Sequence, residues 1–217
     1  MSSRADQHTA EIITLPVSRR IEAIHIVRQV KGVVDTKVSY LFEGLMENVV
    51  DALFEEIRSG QEGEDLQAHF NITRALKTEA KPYKDEFLVL MNLSWVNLIK
   101  AKNIQPICDP DEDVCKILKK FSDRNLNHYK ILLEELRKRF SVVAGEELDY
   151  HPLLPGNFYL CYWHATKKLG LKSTERKLLL PLYNRFVMDR FGQILSIANQ
   201  SMVDLGIKIP KSKLSTT

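Results

Sequence analysis

The chain has 217 residues, of which 44% are hydrophobic and 27% charged, and it carries a net charge of +3. Those are the proportions of an ordinary soluble globular protein with a sizeable core, and they exclude a low-complexity or disordered chain. Three cysteines, an odd number, argue against a secreted disulfide framework. No apolar run approaches the roughly 18 to 20 residues of a membrane span, and the amino terminus lacks the apolar centre of a signal peptide, so the cytoplasm is the expected compartment.

Residues 1–17 read as a polar, mobile arm closed by Pro16. Ser18 can cap a first helix that runs through Ile21, Ile24 and Val27 to about Gly32. A second, long amphipathic helix keeps Val38, Leu41, Phe42, Leu45, Val49, Leu53 and Ile57 on one face and stops at the polar stretch "SGQEGED". A third helix begins at Leu66, with Leu66, Phe70, Thr73 and Leu76 along its inner edge, and Pro82 bounds it. The very apolar segment from Tyr83 to about Lys102 predicts a central fourth helix.

The next segment, Cys108-Asp-Pro-Asp-Glu-Asp-Val-Cys115, sets four acids between two cysteines. A calcium loop of the EF-hand type needs Gly at its sixth position and Glu at its twelfth, where this chain has Val114 and Lys120. A zinc site needs a shorter Cys spacing and a second pair of ligands. A helix start accounts for every residue instead: Asp109 as N-cap, Pro110 at the first helical position, Glu112 completing a capping box, and the acids facing the helix dipole. No metal or other cofactor is expected. The helix that follows carries Val114, Ile117, Leu118 and Phe121 on one face, with a break near Ser122, and runs to about Phe140.

Residues 141–155 are rich in Gly and Pro and form the clearest linker, where the helical domain could subdivide. Two helices close the chain: one from about Pro155 to Gly170, the other from Ser173 to just before Gly206, kinked or restarted at Pro181. No segment alternates with the period of a strand. The expected fold is all-α, a multi-helix bundle of long amphipathic antiparallel helices spanning residues 18–210, with a flexible tail at 211–217.

Charge is unevenly spread, with ten basic residues against three acidic ones over 151–217. Lys167, Lys168, Lys172, Arg176 and Lys177 are the candidate contacts to a polyanion or an acidic partner; a solvated helix face is the bland alternative. Asn184, Arg185 and Asp189 form a polar set in an apolar helix. They read either as a surface ladder or as a buried clasp to a neighbouring helix, with an acid such as Asp51 on Arg185. Cys161 and His164 sit three apart on one helix face, with His151 the nearest further ligand. That spacing reads as ordinary packing rather than as a zinc half-site or a nucleophile pair.

The final block "LLLPLYNRFVMDRFGQILSIANQSMVDLGIKIP" resembles the bacterial "domain of unknown function 1631" family, through Tyr183-Asn184-Arg185, Asn199, Gly206 and Pro210. The stretch from Val50 to Lys77 is similar to a helix pair of that family through Asp51, Leu53, Phe54, Gln67, Phe70 and Arg74, and "HPLLPGNF" to one of its helix starts. The resemblance implies a bacterial, soluble, helical protein of regulatory or interaction type and supplies no catalytic residue. The expected function is therefore a non-enzymatic cytoplasmic interaction module acting through a protein partner. A nucleic-acid- or nucleotide-responsive binder using the basic end is the alternative, and self-association is left open.

Overall fold

The computed structural model describes residues 17–58, 66–99 and 112–209. Within them lie seven α-helices and no strand: α1 (Val17–Arg58), α2 (Leu66–Ile99), α3 (Glu112–His128), α4 (Lys130–Ala144), α5 (Pro155–Ala165), α6 (Ser173–Phe186) and α7 (Phe191–Asp204). Short 3-10 turns at Thr166–Leu169 and Met188–Arg190 follow α5 and α6. The multi-helix, all-α bundle is as the apolar periodicity predicts.

Three of the expected helix breaks are absent. The first and second predicted helices are one 42-residue α1, about 63 Å long at 1.5 Å per residue. Val30, Val34 and Val38 are all buried and carry the apolar stripe straight across the Gly32 region. The Lys31–Asp35 ion pair and a hydrogen bond from the Thr36 hydroxyl to the Gly32 carbonyl (3.0 Å) span the same turn. Burial of three valines outweighs the roughly 1 kcal/mol that a helical glycine costs.

In the same way α2 runs unbroken through Pro82. Pro82 and Thr78, whose carbonyl loses its partner, are both exposed, so water can satisfy the freed group. Leu76, Tyr83 and Phe87 meanwhile stay at helical spacing in the core. Pro181 is likewise exposed and leaves α6 intact. The chain turns instead at Met188–Arg190, after Phe186. The break expected near Ser122 falls at Tyr129, whose ring packs on Phe191 of α7 with centroids 5.8 Å apart.

α1 packs along α2, α7 and α6, and α2 packs along α5. The most central helix is α5, not the segment from Tyr83: Phe158, Tyr159, Cys161, Tyr162, Trp163 and Ala165 are all buried, and only the strip of Gly156, Leu160 and His164 is partly open. Around it an aromatic chain joins four helices. Phe42 meets Tyr83 and Phe87, Tyr83 meets Tyr162, and Tyr162 stacks on Tyr183 with centroids 3.7 Å apart. α7 closes the other side, with Phe191, Ile194, Leu195, Ala198 and Met202 buried.

Candidate functional site

The polar set on α6 resolves into a buried clasp, but with different members from those expected. Asn184 is buried and donates to the Asp189 carboxylate at 3.0 Å. Its carbonyl oxygen accepts from the Tyr159 hydroxyl at 2.6 Å, and that hydroxyl accepts from the Asn125 amide at 2.9 Å. The clasp therefore ties α3, α5 and α6 to the 3-10 turn at Asp189. Burial pushes the Tyr159 phenol well above its ordinary value, so the group stays a neutral donor. Arg185 lies outside the clasp. It is exposed, its nearest acid is Glu55 of α1 at 3.9 Å rather than Asp51, and its guanidinium sits over the Phe186 ring.

The five candidate cations separate into two groups. Lys167, Lys168 and Lys172 are exposed, and Lys177 is half-buried. Lys168 pairs with Glu86 of α2 at 3.3 Å. Arg176, by contrast, points inward and is buried. It donates to the Thr166 hydroxyl and to the Trp163 carbonyl, each at 2.8 Å, and its guanidinium stacks over the Trp163 ring at 3.8 Å. Its neighbour Glu175 accepts from the Lys172 backbone N–H at 2.8 Å, which caps α6, and from Asn71 of α2 at 2.7 Å. Arg176 and Glu175 are thus fastenings of α6, not surface charges.

Cys161 is buried and free, and its thiol lies 3.8 Å from the Asn157 carbonyl oxygen. Burial raises its pKa to about 12, which leaves almost no thiolate at neutral pH. Asn157 is the centre of a second polar cluster. It accepts from Ser94 of α2 at 2.9 Å and donates to the Pro152 carbonyl at 2.9 Å, so the linker is pinned to α2. His164 is half-buried, and His151 is buried against the Phe140 ring with neither nitrogen hydrogen-bonded. Among the described residues no group of three or more His, Cys, Asp or Glu could hold a metal ion. Asp109, Pro110 and Asp111 lie outside the described residues; α3 begins at Glu112, with Glu112 and Asp113 in its first turn. Cys115 is disulfide-bonded, a cross-link that an odd cysteine count does not announce.

The surface feature with the most chemistry lies on α2. Leu66 and Phe70, one turn apart at its start, are each more than half exposed, as are Val89 and Leu93, one turn apart in its second half. The spacing argument assigns Leu66 and Phe70 to the inner edge. The inner edge is instead Ala68, His69, Ile72 and Leu76, all buried. Each pair is a small apolar patch that water solvates poorly, and the two patches lie roughly 28 Å apart along the helix. No helix among the described residues is long and apolar enough to cross a membrane.

The family model described as "Protein of unknown function (DUF1631) N-terminal domain" matches residues 22–206. No curated protein and no solved structure matches the chain.

Proposed function

Because this chain belongs to the DUF1631 family, we propose that it is a helical interaction module of the bacterial cytoplasm that acts through a protein partner docked on α2. The single observation that supports this is the exposure of Leu66, Phe70, Val89 and Leu93. Interface cores are built from such residues, with charged side chains displaced to the rim. Arg74, Lys77, Lys81 and Asp85 are exposed on the same helix between the two apolar pairs, so the charge lies between two apolar anchors.

The interior supports a binding role rather than a catalytic one. The phenols of Tyr83, Tyr162 and Tyr183 and the thiol of Cys161 are all raised by burial, and His151 is lowered to about 3. Every one of these groups is neutral at pH 7, and none is tuned toward acid–base work there. A polyanion-binding role would draw on Lys167, Lys168, Lys172 and Lys177 without Arg176, which is committed to Trp163 and Thr166.

The test is affinity capture from expressing cells with the unmodified chain and with a Phe70→Glu, Leu93→Glu variant, both checked for equal helicity. The reading expects a partner retained by the first and lost by the second. Identical capture by both would refute it.

A further inference from the structure

The first half of α2 carries charge as well as apolar side chains on its open face. From Leu66 the residues Phe70, Arg74, Lys77 and Lys81 follow at intervals of four, four, three and four, and all five are exposed. At about 100° per residue they fall within about 80° of one another around the axis, a single stripe that ends just before Pro82. Its first two members are large and apolar; the next three are cations. Arg74 and Lys77 are three apart and Lys77 and Lys81 four apart, so each pair is adjacent and like-charged, an arrangement that destabilises a helix. Among the described residues none of the three charged heads makes an ion pair, not even Lys81 with Asp85 four residues on. An anion from outside the chain would relieve that repulsion.

What flanks the stripe narrows the choice of anion. On one side Glu43 of α1 pairs with Lys84, and Glu43, Glu47 and Asp51 recur at intervals of four, all exposed. A nucleic-acid duplex or an anionic bilayer laid across α2 would press its phosphates against these carboxylates. On the other side the 2.7 Å bond from Asn71 to Glu175 seats the start of α6, with the exposed Lys172, beside the stripe. A partner as narrow as one helix, about 10 Å across, covers the cations and leaves α1 clear. Phosphate also offers nothing to Leu66 and Phe70, whose burial needs an apolar partner. The lysine-rich face of α3 lacks this combination: Glu112 pairs with Lys116 at 2.9 Å, and α3 exposes no large apolar side chain.

We propose that the first half of α2 binds an acidic amphipathic helix of another protein. An apolar side chain of that helix packs on Leu66 and Phe70, and carboxylates one turn apart pair with Arg74, Lys77 and Lys81, which span about 10 Å along the axis. Helical spacing on both partners repeats the charges at the same interval, so the three pairs form in one register. The proposal rests on the reading of α2 as a docking face and adds the chemistry of what docks there.

The experiment is fluorescence anisotropy of the purified full chain with a labelled, hydrocarbon-stapled helical peptide of about 18 residues. The peptide is alanine-based, with three Glu one turn apart followed by two Leu on the same face. The other probes are the same peptide with Gln for Glu, oligothymidylate of equal length and phosphatidylglycerol vesicles. The acidic peptide is expected to bind, more weakly as salt rises, and at least about tenfold more tightly than the Gln peptide. Arg74→Glu with Lys77→Glu and Lys81→Glu should weaken binding by at least that factor, whereas Lys119→Glu with Lys120→Glu on α3 should not. Circular dichroism confirms that each variant is folded. Equal binding of the two peptides, no binding of either, or unchanged affinity in the α2 variant overturns the proposal. Tighter binding of the oligonucleotide or the vesicles through the same three cations overturns it too. If the peptide fails while a cellular partner is still lost from the Phe70→Glu, Leu93→Glu chain, only the acidic chemistry falls; a partner kept by that chain removes the docking reading itself.

Discussion

The Tyr159 hydroxyl and the Asn184 carbonyl oxygen are 2.6 Å apart in the interior, and this bond joins α5 to α6 at the point where α3 also ties in through Asn125. Removing the hydroxyl leaves two buried amides short of a partner, while the ring keeps its packing against Phe121 and Tyr183. Tyr159→Phe is expected to lower stability by about 1 to 3 kcal/mol, the cost of unpaired buried polar groups. Urea unfolding checks it: the midpoint should fall with the slope unchanged.

Arg176 and Lys172 test the division between buried and exposed cations. Arg176→Ala removes two hydrogen bonds and the stack on Trp163, and is expected to cost about 2 to 4 kcal/mol. Lys172→Ala should change stability by less than about 0.5 kcal/mol, as surface substitutions do. Thermal melts of the two variants, run side by side, give the comparison.

His151 gives the chain a pH dependence whose sign follows from burial. Its folded-state pKa is lowered to about 3 by desolvation; an unfolded His titrates near 6.5. Above about pH 6.5 the ring is neutral in both states and contributes nothing to the pH dependence. As pH falls below that value the unfolded chain takes up a proton that the folded chain refuses, so stability is lost, by about 2 kcal/mol at pH 5. The Glu134 carboxylate, held down to about 2 by Arg137, acts in the same direction at lower pH. In His151→Leu the loss of stability between pH 7 and pH 5 should be smaller by about that amount. Urea titrations at the two pH values measure it.

Glycines divide by what a methyl group would meet. At Gly192 an added Cβ would come 2.9 Å from the Tyr129 ring, which is held between Phe191 and the Asp189 carbonyl. Gly192→Ala is expected to destabilise, whereas Gly44→Ala, with open space around it, should stabilise the fold by about 0.5 to 1 kcal/mol. Opposite shifts in melting temperature, measured in dilute solution, are the expected result.

Apolar positions at spacings of three and four were enough to read the helices and the bundle, because burial of one helix face is what forms them. Val38, Leu41, Leu45 and Val49 show this in α1. Breaks were harder to read. Pro82 and Pro181 break a helix only where the freed carbonyl cannot reach water, and both are exposed; at Gly32, which frees no group, the buried Val30 and Val34 carry the helix through. The face each residue presents was harder still. Phe70 fits an apolar stripe yet stands outside, and Phe186 is only partly buried. Phe186→Ala should therefore cost less than Phe191→Ala, for which about 3 to 5 kcal/mol is expected. Asn184 and Asp189 were recognisable as a polar pair, but Tyr159 and Asn125 come from distant parts of the chain. Only the packing of α3 and α5 reveals them. The burial of Arg176 depends in the same way on where Trp163 lies, a tertiary fact.

The most direct test of the central claim, that α2 is a protein-docking face, is site-specific photocrosslinking in expressing cells. A photoreactive residue in place of Phe70 is compared with one in place of Lys119, an exposed position on α3. The account predicts a discrete adduct with another protein from position 70 that is missing from position 119 and lost when Leu66 and Leu93 are changed to Glu. The same adducts from both positions, or none from position 70, would contradict it.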